Sequence, residues 1–303
     1  MAITLTQLTT FLAVARSGSV KAAAEQLVVT QPSVSAALSA LSRELGVSLT
    51  ERTGRTVRLT PAGQAFVPYA ADALGALDQG RRAAEEAAAA RALEIRIAAV
   101  TTAAEYVVPP LLRRFSDDHP GITLTLEVGN REHVFQRVLD HVDDVAIGGS
   151  PPDDGRLVGR PFLRNDILLI VPRDSELAAR RSLTFKGLAH STWLLREEGS
   201  GTRAMVEDLL VRNGIAPPTL TLGSNGAIKQ AVRAGLGISL QPRAAVELEL
   251  RSGLFTAVPL RGLPARHWYT LTSAAGRPRP VVEAFLDFVA SDVAKATIAD
   301  AFR

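Results

Sequence analysis

The stretch from Val20 to Gly63, VKAAAEQLVVTQPSVSAALSALSRELGVSLTERTGRTVRLTPAG, carries the fold of the N-terminal part of this chain. It reads as two helices joined by a tight turn, followed by a short basic hairpin. Val20 to Leu27 form the first helix, with Ser19 placed to accept from its exposed amides. Val28, Val29 and Thr30 interrupt the Ala-rich pattern, because β-branched residues are poor helix formers. Thr30 caps a second helix, and Pro32 sits in its first turn, where a missing N–H costs nothing. Val34, Leu38, Leu41 and Leu45 recur at four, three and four residues, the stripe of a helix that faces a core.

The opposite face of that second helix holds Gln31, Ser33, Ser35, Ala36 and Ser39, short and uncharged. Such a face fits deep in a major groove, where small hydrogen-bonding side chains reach base edges. Arg52, Arg55 and Arg58 then alternate with Thr53, Gly54, Thr56 and Val57 across a Gly-containing turn, as in a two-stranded wing. Cations on a wing lie against phosphates and set the register on a duplex. Local pattern alone leaves a helical hairpin with a solvated basic loop open.

Phe11, Ser19, Ala23, Ala24, Leu27, TQPSVS (Thr30 to Ser35), Leu41, Leu45-Gly46, Arg52 and LTPAG (Leu59 to Gly63) together resemble the LysR-type transcriptional regulators. Thr50 stands where that family commonly has Phe, and Ser42 where it has Glu; neither change removes a DNA contact. The resemblance implies an all-α winged helix-turn-helix domain over 1–60. Its DNA-binding set is Ser19, Gln31, Pro32, Ser33, Ser35, Ser39, Arg52, Arg55 and Arg58. Gln31 and Ser33 would read bases, and Ser35 and the three arginines would hold phosphates.

Composition agrees with a compact nucleic-acid footprint rather than general attraction to anionic surfaces. The net charge over 303 residues is only +3. Residues 1–60 hold six Lys or Arg against three acids, and half of the six fall in the wing. With 47% hydrophobic residues there is material for two or three domains. The chain has no cysteine, which excludes disulfides, thiolate metal sites and a cysteine nucleophile. The uncharged N-terminus, ITLTQLTTFLAVA, places Leu5, Leu8, Leu12 and Ala15 at helical spacing, with Arg16 after the apolar run. It reads as the first helix of the domain rather than a signal peptide. No apolar run approaches the ~20 residues of a membrane span. The expectation is a cytoplasmic protein with no membrane partner.

From Pro61 to about Ala90 the chain is rich in Ala and other helix formers. Phe66, Ala70, Ala73, Leu77, Gly80, Ala84 and Ala87 repeat at alternating four and three, nearly three heptads of one seam. A helix packed on its own domain would also show this. The family resemblance makes it the linker helix of a homodimer, with Phe66, Ala70, Ala73, Leu77 and Ala84 as the dimer contacts and a hinge in 85–91 closing a 61–92 segment. Two readers on a two-fold axis predict an inverted-repeat operator on double-stranded DNA, with half-sites about one turn apart. The expected assembly is a dimer pairing into a homotetramer, with RNA polymerase as a further partner.

After Leu93, strands and helices alternate, the mark of an α/β sheet. Strands are predicted at 94–100, 122–128, 144–147, 167–171, 192–195, 219–222, 238–241, 256–259 and 267–272, with helices at 103–118, 132–141 and 202–213. The resemblance implies a two-lobed, periplasmic-binding-protein-like (type 2) effector domain over 93–303. Lobe one would be 93–163 plus 267–303 and lobe two 164–266, with the effector in the cleft between them. Thr101 and Thr102, at a strand end, offer hydroxyls and amides there. Arg196 to Arg203, REEGSGTR, repeats the arrangement with Arg196, Gly199, Ser200, Gly201, Thr202 and Arg203. Ser224 and Asn225 open a third helix. Each alone reads as an ordinary cap; three helix starts aimed at one cleft make an anion site. Asn130 and Gly148 complete the expected set.

EVGNRE (Glu127 to Glu132), REEGSGTR, SNGAIKQAV (Ser224 to Val232), AGLGIS (Ala234 to Ser239) and RHWY (Arg266 to Tyr269) are similar to the CbbR branch of the family, the RuBisCO-operon regulators. Sulfur-assimilation regulators share parts of these motifs, so a regulator sensing a different ligand is the alternative. Gly226 stands where the branch often carries Glu. The branch implies small phosphorylated metabolites or nucleotides as effectors. A transport protein or an enzyme is the rival class. GSG at 199–201 is not a nucleophile elbow. There is no H-E-x-x-H, Walker or G-x-G-x-x-G pattern. His133 and His141, eight residues apart, point about 80° apart on a helix and do not share a metal. No catalytic residue, metal or cofactor is expected. The tail after Ser291 has no role assigned.

Overall fold

The computed structural model describes residues 3–53, 56–88 and 93–301, apart from the side chains of 52 and 53. The chain divides into two compact units. The first is 1–91 with the short segments 139–142 and 275–279; the second is the remainder.

In the first unit, α1 (Leu5–Ser17) begins with a capping box. Thr4 Oγ1 accepts from Gln7 N, and the Gln7 side chain accepts from Thr4 N at 2.8 Å. Gly18, at φ +61°, ends it. Its buried stripe is Leu8, Phe11, Leu12 and Val14; Leu5, predicted as part of that stripe, is half exposed. Ser19 caps α2 (Val20–Leu27) by accepting from Ala22 N. Thr30 caps α3 (Gln31–Leu45) by accepting from Ser33 N, and Gly46 ends it. Strands β1 (Thr50–Thr53) and β2 (Thr56–Leu59) pair antiparallel, Thr50 opposite Leu59 and Thr53 opposite Thr56. Thr60 caps α4 (Pro61–Ala87), accepting from Gly63 N at 3.0 Å while donating to Ser48 O. Phe11, Val34, Leu41, Leu49 and Ala70 close one core beneath these elements.

The turn after α2 places Val28 at φ +55° with 90% of its surface exposed. A β-branched residue in the left-handed region crowds its own carbonyl and gains no burial in return. Val28→Asn is therefore expected to raise the stability of this unit by about 1 kcal/mol, read as a higher melting temperature. A lower melting temperature would mean that the valine packs in a way its exposure does not reveal.

The second unit holds two α/β lobes. Lobe one is built from β3 (Glu94–Val100), α5 (Thr101–Tyr106), α6 (Val108–Asp118), β4 (Thr123–Gly129), α7 (Arg131–Leu139), β5 (Val145–Gly148) and β6 (Leu157–Arg164). Lobe two follows with β7 (Ile167–Pro172), β8 (Trp193–Leu195), α8 (Gly201–Arg212), β9 (Thr219–Thr221), α9 (Asn225–Arg233), β10 (Ser239–Pro242), α10 (Arg243–Arg251) and β11 (Phe255–Val258). The chain then returns to lobe one through β12 (His267–Ser273), α11 (Pro280–Ala290) and α12 (Asp292–Ala301). Lobe one is a five-stranded sheet in the order β4-β3-β5-β12-β6, and lobe two centres on β10-β7-β11 with β8-β9 beside it. Phe115 and Phe285, ring centroids 5.1 Å apart, lie in the first core; Phe185 stacked on Trp193 lies in the second.

Three differences from the predicted elements have plain causes. The helix expected over 103–118 is two helices that break at Val107, because Pro109 and Pro110 are tolerated only in a first turn. Strand β6 was not predicted. Its Pro161 lacks an N–H, which an edge strand tolerates, and the register against β12 shifts beside it. After Ser291 the chain forms its own helix, α12, started by Ser291 Oγ accepting from Ala294 N, with Ala294 and Ile298 buried.

Candidate functional site

Helix α3 presents Gln31, Pro32, Ser33, Ala36 and Ser39 to solvent, while Val34, Leu38 and Leu41 are buried and Ser35 is half-buried. The Ser33 hydroxyl lies 2.9 Å from that of Thr30, within the cap. Ser19 is a helix cap. Arg58 is exposed on β2. Arg52 is on β1, but its side chain, like the whole of Arg55, lies outside the described residues.

The expected dimer seam needs correcting at its start. Ala70 is 1% exposed within the N-terminal core, and Phe66 packs there with its ring 5.5 Å from that of Phe11. Both serve the chain's own domain, because the first turns of α4 close that core. Ala73, Leu77, Gly80, Ala84 and Ala87 are exposed. Residues 89–91 of the expected hinge lie outside the described residues.

In the second unit the lobes enclose a cavity of about 40 Å³. Seven of the predicted residues line it: Thr101, Thr102, Asn130, Arg196, Ser200, Gly201 and Thr202. Asn130 caps α7, accepting from His133 N at 2.9 Å, and its amide donates across to Glu198 O. Thr102 Oγ1 accepts from Asn225 Nδ2 at 2.9 Å, which leaves the Thr102 proton to donate into the cavity. Ser200 Oγ caps α8, accepting from Arg203 N, and its proton is likewise available.

Five predicted residues stand outside the lining. Gly148 gives way to Gly149, the next residue beyond β5. At Gly199 a β-carbon would stand 2.5 Å from the Asn130 amide nitrogen, so the glycine leaves room for that side chain. Arg203 is held by Glu207 and donates to Arg196 O. Ser224 caps its own helix through Ala227 N. Asn225, 1% exposed, is a buried bridge between Arg196, Thr102 and Glu105. Three helix starts still open on the cavity, those of α5, α7 and α8, with α7 in the place expected of α9. Arg196, expected to supply charge, pairs through two nitrogens with Glu197 and through a third with Asn225.

The charge comes from two residues outside the predicted set, Arg131 and Arg266. Arg131, the first residue of α7, lies over the Phe135 ring at 4.5 Å and donates to Ser150 O at 3.0 Å. Arg266, just before β12, reaches the Met205 sulfur at 3.4 Å. Neither meets a carboxylate among the described residues, whereas Arg96, Arg137, Arg160 and Arg203 each hold one. Burial pushes both guanidinium pKa values down, and the Arg131 charge lowers that of Arg266 further. Among the described residues no Asp or Glu lines the cavity. Two unneutralised cations beside hydroxyl donors form a site that favours an anion. An arginine at the positive end of a helix was the available sign, since that placement opposes the helix dipole.

Comparison with known proteins agrees with both halves. Residues 5–64 match the bacterial regulatory helix-turn-helix protein, lysR family, and residues 88–294 match the LysR substrate binding domain. The HTH-type transcriptional activator CmpR of Synechocystis sp. is 34% identical, covering 99% of each chain. The HTH-type transcriptional regulator CbbR of Rhodospirillum rubrum is 36% identical, over 94% of this chain and 95% of that protein. The regulatory domain of Synechocystis PCC6803 CcmR in complex with 2-PG is 34% identical with a TM-score of 0.62, over 65% of this chain and 95% of that one. With both domains matched and relatives aligned almost end to end, the chain belongs to the LysR family of transcriptional regulators.

Proposed function

We propose that this regulator senses a compact phosphorylated acid in the cavity between its lobes. The observation that carries this reading is the pair Arg131 and Arg266, desolvated and, among the described residues, without a carboxylate partner or an acid in the cavity lining. The likeness to a regulatory domain crystallised with 2-PG supports it. The effector domain is 93–303, the DNA-binding domain 1–60 and the linker 61–92. The chain acts in the cytoplasm as a homodimer that pairs into a tetramer, works with RNA polymerase and is not an enzyme. Exposed Ala73, Leu77 and Ala84 on α4 are the proposed dimer contacts. Ligand acts on transcription only to the extent that it prefers one arrangement of the lobes.

Thermal unfolding of the purified protein against 2-PG, nucleotides, sulfate and simple carboxylates tests the reading. A ligand that binds only the folded state adds about 2.7 kcal/mol at a hundred times its Kd. A concentration-dependent rise with 2-PG is expected. A rise with sulfate alone would move the chain to a sulfur-sensing branch. Thr102→Val, which removes the hydroxyl aimed into the cavity, is expected to abolish the 2-PG shift with DNA affinity intact; lost DNA binding would mean a folding role.

On the DNA side, Gln31 and Ser33 read bases, while Ser35, Arg52, Arg55 and Arg58 hold phosphates, with Ser19, Pro32 and Ser39 beside them. Arg58→Ala is expected to weaken binding to specific and random duplexes alike and to reduce the salt slope by about 0.9. Gln31→Ala is expected to narrow the gap between operator and random DNA. If instead it lowered both affinities equally, Gln31 would be a phosphate contact.

A further inference from the structure

Asn225 does not line the cavity between the lobes, yet it bonds to a residue that does. It opens α9 in lobe two, is 1% exposed, and reaches across to lobe one. There its Nδ2 donates to Thr102 Oγ1 at 2.9 Å and to Glu105 Oε2 at 3.4 Å. Its Oδ1 accepts from Arg196 Nη1. Arg196, 5% exposed, is itself fixed by Glu197, from Nε at 2.7 Å and from Nη2 at 2.8 Å. One turn further along both helices, Lys229 Nζ donates to Tyr106 Oη at 3.1 Å and pairs with Glu249 at 2.6 Å, so α9 is held on α5 at two points.

The direction of the Asn225 amide is imposed from both sides. A guanidinium carries only donors and an ionised carboxylate only acceptors. Arg196 therefore takes the amide oxygen and Glu105 takes the amide nitrogen. Turned over, the amide would set donor against donor and acceptor against acceptor. Thr102 lies on the nitrogen side, so its oxygen must accept and its single proton must leave in another direction. Thr102 is 5% exposed, lines the cavity and donates to no group among the described residues.

We infer that Asn225 is a positioning residue of the anion site: it fixes the Thr102 hydroxyl as a donor into the cavity, and it does so from the opposite lobe. The inference rests on the reading of that cavity as an anion site. Selectivity follows from hydrogen-bond polarity. A ligand oxygen that only accepts, as in a phosphate or carboxylate, meets a proton already aimed at it, whereas a ligand N–H would meet another proton. Because α9 belongs to lobe two and α5 to lobe one, the donor is aimed only while the lobes lie as they do here. That gives an anion a reason to prefer this arrangement.

Calorimetric titration of the full-length protein with 2-PG separates orientation from charge and from packing. Asn225→Asp combined with Glu105→Gln exchanges amide and carboxylate. The formal charge is then that of the parent, but the introduced carboxylate accepts the Thr102 proton and turns it away from the cavity. This pair is expected to weaken 2-PG about tenfold or more, the loss of a hydrogen bond to a charged group. Asn225→Ala frees the hydroxyl instead of reversing it, and is expected to weaken 2-PG by only about threefold, the share of one staggered rotamer in three. A packing role predicts the opposite order, because alanine leaves a hole and the near-isosteric aspartate does not. Thermal unfolding without ligand checks that each variant is folded. Parent-like affinity in the charge-conserving pair would overturn the inference and leave the anion site in place. A loss above about tenfold in Asn225→Ala would do so by itself. A parent protein that binds neither 2-PG nor inorganic phosphate would overturn the anion reading of the cavity, and the inference with it.

Discussion

Arg266→Ala is expected to weaken 2-PG binding by about 30- to 150-fold, and Arg131→Ala by a similar factor, with operator affinity in the absence of ligand unchanged. Each guanidinium makes charge-assisted hydrogen bonds to a bound anion, and such bonds contribute about 2–3 kcal/mol. The same substitutions are expected to leave the unliganded protein as stable as before, within about 0.5 kcal/mol, or slightly more stable. The reason is that these two cations oppose each other. Burial disfavours the charged form of Arg266, and the Arg131 charge adds to that effect, with no carboxylate to offset either. Removing one relieves repulsion that only an anion would otherwise relieve. Calorimetric titration with 2-PG and thermal unfolding without it check the two halves of this expectation. A loss of stability above about 1 kcal/mol, together with weaker binding, would make Arg266 a structural residue whose effect on the ligand is indirect.

Gly63→Ala is expected to destabilise the DNA-binding unit by about 3 kcal/mol, the upper end of what overpacking costs. The glycine is the last residue of LTPAG and lies buried in the first turn of α4. A β-carbon there would stand 2.0 Å from the carbonyl oxygen of Leu49, far inside van der Waals contact. The obstacle is backbone, so no side-chain rotation relieves it. Leu49 is 1% exposed, and the Thr60 cap ties the same turn to Ser48 O, so α4 must move away from the core it closes. Loss of operator binding and an earlier melting of this unit are expected, with 2-PG binding by the second unit retained. A variant that melts and binds DNA like the parent would show that α4 has freedom to shift which the contact with Leu49 conceals.

Much of the N-terminal unit was legible because its signals are local. Ser19 and Thr30 are caps whose partners lie within three residues of them. The stripe of Val34, Leu38 and Leu41 is a matter of helical period alone. By the same logic Thr101, Thr102 and Ser200 were found at strand ends, where helix starts are visible in the residues themselves.

The errors came where a residue's role depends on what another part of the chain brings to it. Phe66 and Ala70 fit a heptad seam, yet a core closed by α1 and α3 takes both. Arg196 looked like the cleft's cation, but Glu197 and Asn225 neutralise and bury it, and only the packing of α9 against β8 puts Asn225 there. Arg131 and Arg266 are 135 residues apart and belong to no common local pattern, so nothing short-range marks them as a pair. The sequence by itself determined the helix-turn-helix, the alternation of strands and helices, and the family, because capping, periodicity and turn chemistry act over a few residues. Only the tertiary structure decided which arginines face the cavity between the lobes and which are neutralised, because a charge is active or silent according to the partners that folding places beside it.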